Sequence, residues 1–272
     1  MKDISSGVVV ESRMEHRPVP KHWGESELTK FLADLEQQIL ASFAGLPDWF
    51  DILIRIDQSV TEKAPTFFHE IDPPRRTSVN LFMRCFATYR AAVRLSVSGQ
   101  LFEATVLMRS LLESAVYAWV CSVSDERRRA WEERGDGDEG RKMSRKLFQW
   151  KDLLNLLESA NNDLAARISD MYDHLIDYGA HPNVDGLALS SDVKHLGQDK
   201  YEIITVFAHG REAVMLAILD LLRCMHYVCQ LLFMVIKERL QILGLDAEFL
   251  KTSAMIHELI CQLEAEQKMK VA

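Results

Sequence analysis

The sequence predicts an all-α protein, a multi-helix bundle with long central helices and one short β-hairpin near residues 184–206. Three observations support this fold class. The 272 residues include only 12 glycines and 7 prolines, which are too few for the many tight turns of β-sandwiches and barrels. Apolar residues recur at spacings of three and four, as in amphipathic helices. The composition, 48% hydrophobic and 26% charged, can supply a sizeable core.

Helix boundaries follow from capping residues and helix breakers. Gly45 ends the first predicted helix, and Pro47 opens the second in its first turn. Asp72 and Asp125 are predicted N-caps, and a Gly/Asp-rich loop is expected over residues 135–140. The predicted helices span approximately residues 25–45, 47–62, 72–99, 100–123, 125–134, 141–158, 161–178, 210–243 and 246–267.

The chain is predicted to form one domain preceded by an arm. Residues 1–22 lack helical periodicity and are expected to be a flexible N-terminal arm. Residues 23–272 contain no internal repeat and no clear boundary, which indicates a single helical bundle domain. Leu187–Leu189 and Tyr201–Phe207 are the predicted strands of the hairpin.

The apolar segments predict a cytoplasmic protein with no membrane partner. Val8–Val10 is the only apolar run near the N-terminus, and a secretory signal needs about 7 to 15 such residues. The long apolar stretch 213–236 is interrupted by Asp220, Arg223 and His226. Because unpaired charges are costly inside a bilayer, we expect this stretch to be a central bundle helix.

No metal or cofactor is expected. The five cysteines form no C-x-x-C pair and are interpreted as reduced core residues. Cys224, His226 and Cys229 cannot all point in the same direction on a helix, and no H-E-x-x-H motif is present. The sequence also has no Walker loop, no G-x-G-x-x-G and no G-x-S-x-G motif.

The fourth predicted helix contains an arginine and a glutamate on one face. Arg109 and Glu113 are four residues apart, so they are neighbours on the helix surface. One interpretation is a buried ion pair that fixes helix register, since each charge would need the other as its partner. The alternative is a functional site.

Two motifs carry a family resemblance. The helix Ser98–Glu113 reads S-G-x-x-x-E-A-x-x-L-x-R-S-L-L-E, and Tyr178–Pro182 reads Y-x-x-H-P. Together they resemble a broad group of bacterial all-helical proteins classed as domains of unknown function. Through that group, the chain is similar to the HEPN (higher eukaryotes and prokaryotes nucleotide-binding) domains of defence and toxin systems. The resemblance covers about residues 80–230.

The resemblance implies that Arg109, Glu113 and His181 come together, with Tyr178 nearby. In a HEPN-like, metal-independent ribonuclease, these four residues would be catalytic. His181 would act as general acid and base, and Arg109 would stabilise the phosphate charge. The arginine-to-histidine spacing of HEPN ribonucleases also occurs at residues 167–174, where it is interpreted as chance.

Residues 127–151 form a basic segment in an acidic chain. They contain nine basic and five acidic residues, whereas the whole chain has a net charge of −8. Cations interleaved with aromatic residues are typical of single-stranded nucleic-acid binding; the aromatic residues are Trp131, Phe148 and Trp150. The predicted nucleic-acid-binding residues are Arg141, Lys142, Arg145 and Lys146. The alternative is a solvated helical hairpin whose aromatic residues face the core.

These observations favour a non-enzymatic helical binding or regulatory module. The family resemblance suggests a bacterial defence or toxin–antitoxin setting, and the ribonuclease is the alternative. The expected partner is RNA or another protein. Apolar residues spread widely over the C-terminal helix also predict a homo-oligomer, with a dimer as the default.

Overall fold

The computed structural model describes residues 18–69, 71–180, 191–197, 200–205 and 210–271. Within these residues the secondary structure is mostly helical, and the strands form one small antiparallel hairpin. The predicted fold class, an all-α bundle with a short hairpin, is therefore confirmed.

The first helices begin close to their predicted starts. Helix α1 (Glu27–Gly45) is capped by Ser26, whose hydroxyl accepts a hydrogen bond from the backbone N–H three residues later. Helix α2 (Pro47–Ile56) has the expected proline in its first turn and continues as a π-helical turn over Asp57–Thr61. Helix α3 (Ala64–Phe67) is a short element that the sequence analysis does not predict.

The next two helices are long and are connected by a short turn. Helix α4 (Arg76–Val97) follows a 3₁₀ turn over Pro73–Arg75, and helix α5 is Leu101–Val123. Gly99 in the connection has φ of 80°, which glycine adopts without the steric cost of a Cβ. The two helices pack against each other and contribute to one buried core.

Helix α6 (Asp125–Glu132) is capped by a different residue from the one predicted. The cap is Ser124, whose hydroxyl accepts a hydrogen bond from the backbone N–H of Arg127 at 3.3 Å. Asp125 instead lies in the first turn, where its carboxylate interacts favourably with the positive end of the helix dipole. A 3₁₀ turn over Glu133–Gly135 follows α6.

The segment after α6 is more helical and more broken than predicted. Helix α7 (Gly137–Leu147) begins inside the predicted loop 135–140. The single helix predicted over 141–158 is wrong, because the chain leaves helical geometry at Phe148 before helix α8 (Trp150–Ala160) begins. Phe148 is 8% exposed, so the break accompanies burial of its ring.

Helix α9 (Asn162–Leu175) is capped by the side chain of Asn161 and continues as a π-helical turn over Ile176–Ala180. Gly179 lies inside this turn with non-helical backbone angles, directly after the predicted end of the helix at residue 178. A Cβ at Gly179 would collide with the hydroxyl of Thr105 on α5. Glycine therefore allows the end of α9 to pack directly on α5.

The hairpin consists of β1 (Ser191–Gly197) and β2 (Lys200–Thr205), with a register shift between His195 and Gly197. The predicted second strand overlaps β2. The predicted first strand, Leu187–Leu189, lies outside the described residues.

Helix α10 (Arg211–Ile242) and helix α11 (Asp246–Val271) complete the described chain. Helix α10 packs on α4, α5 and α11. By length and composition alone, α5 and α10 could each cross a membrane, but 56% and 61% of their most apolar stretches are buried inside the protein. Mostly buried helices of this kind are also typical of the core of a helical bundle.

Candidate functional site

Arg109 and Glu113 form the predicted ion pair, and a tyrosine completes it. The Nε atom of Arg109 donates to Glu113 Oε1 at 3.0 Å. The Nη2 atom of Arg109 donates to the hydroxyl of Tyr172 at 2.8 Å, and that hydroxyl donates to Glu113 Oε1 at 2.9 Å. The Tyr172 ring stacks on Trp150 with centroids 4.2 Å apart. A closed polar triangle therefore connects α5 to α9.

This triangle is only half-buried. The side chains of Arg109 and Glu113 are 24% and 32% exposed, so the pair is less buried than the structural interpretation expects. Burial of the Arg109 guanidinium acts to lower its pKa, but the charge of Glu113 and the bonds to Glu113 and Tyr172 leave that pKa above its usual value. Burial and the Glu113 charge raise the pKa of Tyr172 to about 12. Arg109 is therefore protonated and Tyr172 is neutral at neutral pH.

Tyr178 lies in a different polar cluster. Its ring packs against His174, with centroids 4.5 Å apart. His174 Nε2 lies 2.9 Å from Asp220 Oδ2, and Arg223 donates to the other oxygen of Asp220 at 2.7 Å. His181, the fourth predicted catalytic residue, lies outside the described residues. The catalytic roles assigned to Arg109, Glu113, Tyr178 and His181 stay predictions.

A cleft of about 490 Å³ opens between α5 and the hairpin of α6 and α7, within the size range of small-molecule sites. Three mutually packed rings contribute to its wall: Tyr117, Trp131 and Phe148, with centroids 4.9 to 5.2 Å apart. Most of this aromatic surface is buried against the core. This agrees with the alternative interpretation of residues 127–151, a solvated helical hairpin whose aromatic residues face the core. The three residues still line the cleft.

Three arginines line the same cleft, and no carboxylate of the described part of the chain does. The guanidinium of Arg134 lies over the Trp131 ring, 4.2 Å from its centroid. Arg141 is 3.7 Å from Asp138, a long ion pair with both side chains largely exposed. Among the described residues, the guanidinium of Arg145 forms no ion pair. The cleft is therefore a local positive site in a chain of net charge −8.

The four predicted nucleic-acid-binding residues occupy two faces of α7. Arg141 and Arg145 line the cleft, whereas Lys142 and Lys146 do not. All four are exposed. Because residues four apart lie on the same side of a helix, the arginines form one stripe and the lysines form the neighbouring stripe.

Two other cations of the basic segment have structural partners. Arg128 pairs with Asp125 and Glu132, each at 3.0 Å, and Arg127 donates from Nε to the Leu147 carbonyl at 3.3 Å. The Arg128 pairs lie within α6 itself, whereas the Arg127 bond attaches α6 to the end of α7. The Arg127 bond therefore supports the walls of the cleft, and neither Arg127 nor Arg128 lines it.

The sequence analysis missed Arg134, Tyr117 and Tyr172 as members of these sites. Tyr172 reaches Glu113 across 59 residues of sequence, and no local pattern indicates such a contact. For Tyr117 there is a signal, because it follows Glu113 by four residues and so continues the Arg109 stripe. Burial and the charge of Glu113 raise the pKa of Tyr117, although Arg134 and Arg109 act to lower it.

His226 belongs to the packing of α10 against α11. Its Nε2 lies 2.6 Å from the amide nitrogen of Gln230, its Nδ1 lies 3.4 Å from the hydroxyl of Ser253, and its ring stacks on His257. The described residues contain no group of three or more His, Cys, Asp or Glu side chains placed to hold a metal ion.

The cysteines largely match their interpretation as core residues. Four of them, Cys85, Cys121, Cys224 and Cys229, are buried. The interpretation is wrong for Cys261, which is exposed on α11. All five are free thiols.

The apolar surface that predicts self-association is smaller than expected. Phe249, Ile256 and Ile260 of α11 are between 0% and 7% exposed, because they pack within the chain. Leu250 is 48% exposed. Formation of a dimer stays a prediction.

The fold and these contacts define an all-helical bundle with a positively charged, partly aromatic cleft beside a polar Arg–Glu–Tyr triangle. The chain belongs to DUF5677, a family of unknown function whose model matches residues 76–220. The matched residues include both the triangle and the cleft. No curated protein and no solved structure matches the chain.

Proposed function

We propose that this protein is a non-enzymatic binding module that takes a phosphate-bearing ligand in the cleft between α5, α6 and α7. The observation that carries this proposal is the lining of the cleft, which includes three arginines (Arg134, Arg141 and Arg145) and, among the described residues, no carboxylate. Arginine presents a planar fork of donors that matches phosphate oxygens. The aromatic edges beside it offer contact to a base.

The shape of the site supports a binding role. Because Arg134 already lies over Trp131, one wall of the cleft is held in place before a ligand arrives, and less ordering is needed on binding. The bond from Arg127 to the Leu147 carbonyl also attaches α6 to the end of α7. Arg141 and Arg145, one helical turn apart on α7, can both reach a phosphate in the cleft.

The ribonuclease alternative has less support from the described geometry. It needs the four predicted catalytic residues in one place. Arg109 and Glu113 bond to Tyr172, whereas the Tyr178 ring packs on His174. The proposed setting, regulation in bacterial defence or toxin–antitoxin systems, is supported by the family resemblance of the two motifs.

The test is equilibrium binding of two phosphate-bearing probes, ATP and a fluorescein-labelled ten-nucleotide RNA. We expect Arg141→Gln with Arg145→Gln to weaken binding of either probe by roughly tenfold or more, since each arginine supplies charge-assisted hydrogen bonds. The matched control, Arg84→Gln with Arg94→Gln, removes the same charge from exposed positions on α4 and should bind as wild type. Failure of both probes to bind, or equal binding by both double variants, would overturn the proposal.

A further inference from the structure

The cations of α7 extend beyond the cleft. Lys142 and Lys146 each follow a cleft arginine by one residue, which places them about 100° further round the helix and about 1.5 Å further along it. Both are exposed and neither lines the cleft. A ligand confined to the cleft therefore does not account for them, whereas a ligand that leaves the cleft over α7 would pass them.

The carboxylates of this region do not neutralise the extended row. Asp136, Asp138 and Glu139 lie at the start of α7, and among them Asp138 reaches Arg141 at 3.7 Å. Among the described residues, Lys142 and Lys146 form no ion pair. Positive charge thus increases toward the end of α7.

The concave shape of the cleft favours binding of an unpaired strand over binding of a duplex. Its apolar surface comes from Tyr117, Trp131 and Phe148, which lie in the wall of a concave site. A base that is paired and stacked in a duplex cannot enter such a site, while an unpaired base can leave its neighbours and contact aromatic and guanidinium groups. The row of cations outside can then contact the following phosphates.

We infer that the ligand of the cleft is a single-stranded nucleic acid, one unpaired nucleotide of which enters the cleft while the strand continues over Lys142 and Lys146. This inference rests on the proposed phosphate-binding function. RNA and single-stranded DNA share this chemistry. An acidic protein segment would offer carboxylates to the same cations but no base to the cleft.

The test compares four probes by fluorescence anisotropy and competition: a ten-nucleotide RNA, the DNA of the same sequence, its DNA duplex, and ATP. We expect one or both single strands to bind more tightly than ATP and the duplex. Lys142→Gln with Lys146→Gln should weaken strand binding and reduce its log–log salt slope by about 1.4, since each lost phosphate contact contributes about 0.7 for single strands. ATP binding by this variant should equal that of wild type.

The matched control is Lys237→Gln with Lys251→Gln, which removes two exposed lysines from α10 and α11 and should leave the salt slope unchanged. Thermal melting of both variants should match wild type because all four side chains are exposed. Duplex binding as tight as strand binding would overturn the inference, as would an unchanged salt slope in the Lys142 and Lys146 variant. In either case, ATP binding that depends on Arg141 and Arg145 would leave the proposed function standing. Tighter binding of a poly-glutamate peptide than of either strand would identify an acidic protein as the ligand and also overturn the inference.

Discussion

Single residues decide how the charged face of α5 is stabilised. The Tyr172 hydroxyl accepts from Arg109 and donates to Glu113, so it joins the two charges into a hydrogen-bonded ring. Its own ring is fixed by stacking on Trp150. A partly exposed ion pair alone contributes little to stability, and the tyrosine is what gives this pair a defined geometry.

We therefore expect Arg109→Ala to lower the free energy of unfolding by about 1.5 to 3 kcal/mol, the range for lost hydrogen bonds to charged groups. This is less than the ~3 to 5 kcal/mol of a broken, fully buried pair, because the Arg109 side chain is 24% exposed. The double change Arg109→Met with Glu113→Leu should cost less than Arg109→Ala, since no charge is left without its partner. Urea denaturation measures all three proteins, and a greater loss in the double variant would contradict this account of the triangle.

At the scale of elements, the hairpin of α6 and α7 depends on one close approach. A Cβ at Gly140 would collide with the backbone carbonyl of Glu133 in the 3₁₀ turn between the two helices. Glycine therefore lets the first turn of α7 pack against that turn. Because Arg141 follows Gly140 directly, the same contact positions the first of the two cleft arginines on α7.

We expect Gly140→Ala to destabilise the protein by about 1 to 3 kcal/mol, the usual cost of forcing an extra methyl group into packed structure, and to weaken ligand binding in the cleft. Gly135→Ala is the matched control, because a Cβ at Gly135 meets nothing within 4 Å. Thermal melting and the ATP titration described above measure both effects. If the two alanine variants melt at the same temperature, the contact at Gly140 does not limit the packing of α7 against α6.

At the scale of the whole molecule, stability should depend on pH through the packing of α10 on α11. His226 is 6% exposed and lies between the two helices, where Gln230 donates to its ring. Burial and the neighbouring His257 lower the pKa of His226 to about 4. An unfolded histidine has a pKa of about 6.5, so the unfolded chain binds a proton more readily than the native protein does.

The contribution of neutral His226 to the free energy of unfolding is thus fully present above about pH 6.5 and is lost as the pH falls toward 4. We expect the free energy of unfolding to decrease by about 2 to 3 kcal/mol between pH 7 and pH 4 because of His226. In His226→Asn this part of the pH dependence should disappear, whereas His195→Asn, which changes an exposed histidine of the hairpin, should retain it. Urea denaturation at both pH values measures this loss. If wild type and His226→Asn lose the same free energy of unfolding between pH 7 and pH 4, the assignment to His226 is wrong.

The amino-acid sequence by itself determined the helical class, most helix positions and the Arg109–Glu113 pair. These features depend on local physical chemistry: apolar periodicity, proline and glycine at helix ends, and the four-residue spacing of neighbours on a helix. The basic character of residues 127–151 is also a property of composition. Local rules failed where burial overrode them, as at Phe148, which breaks a helix that its neighbours would continue.

Only the tertiary structure decided which of these residues share a site. Tyr172 reaches Glu113 from another helix, Arg134 and Tyr117 join the cleft, and the predicted cation quartet divides into Arg141 and Arg145 inside and Lys142 and Lys146 outside. Such contacts depend on how helices pack across long stretches of sequence, and no local pattern encodes that packing. Exposure is decided in the same way, because a side chain is buried or open according to the neighbours that the fold brings to it.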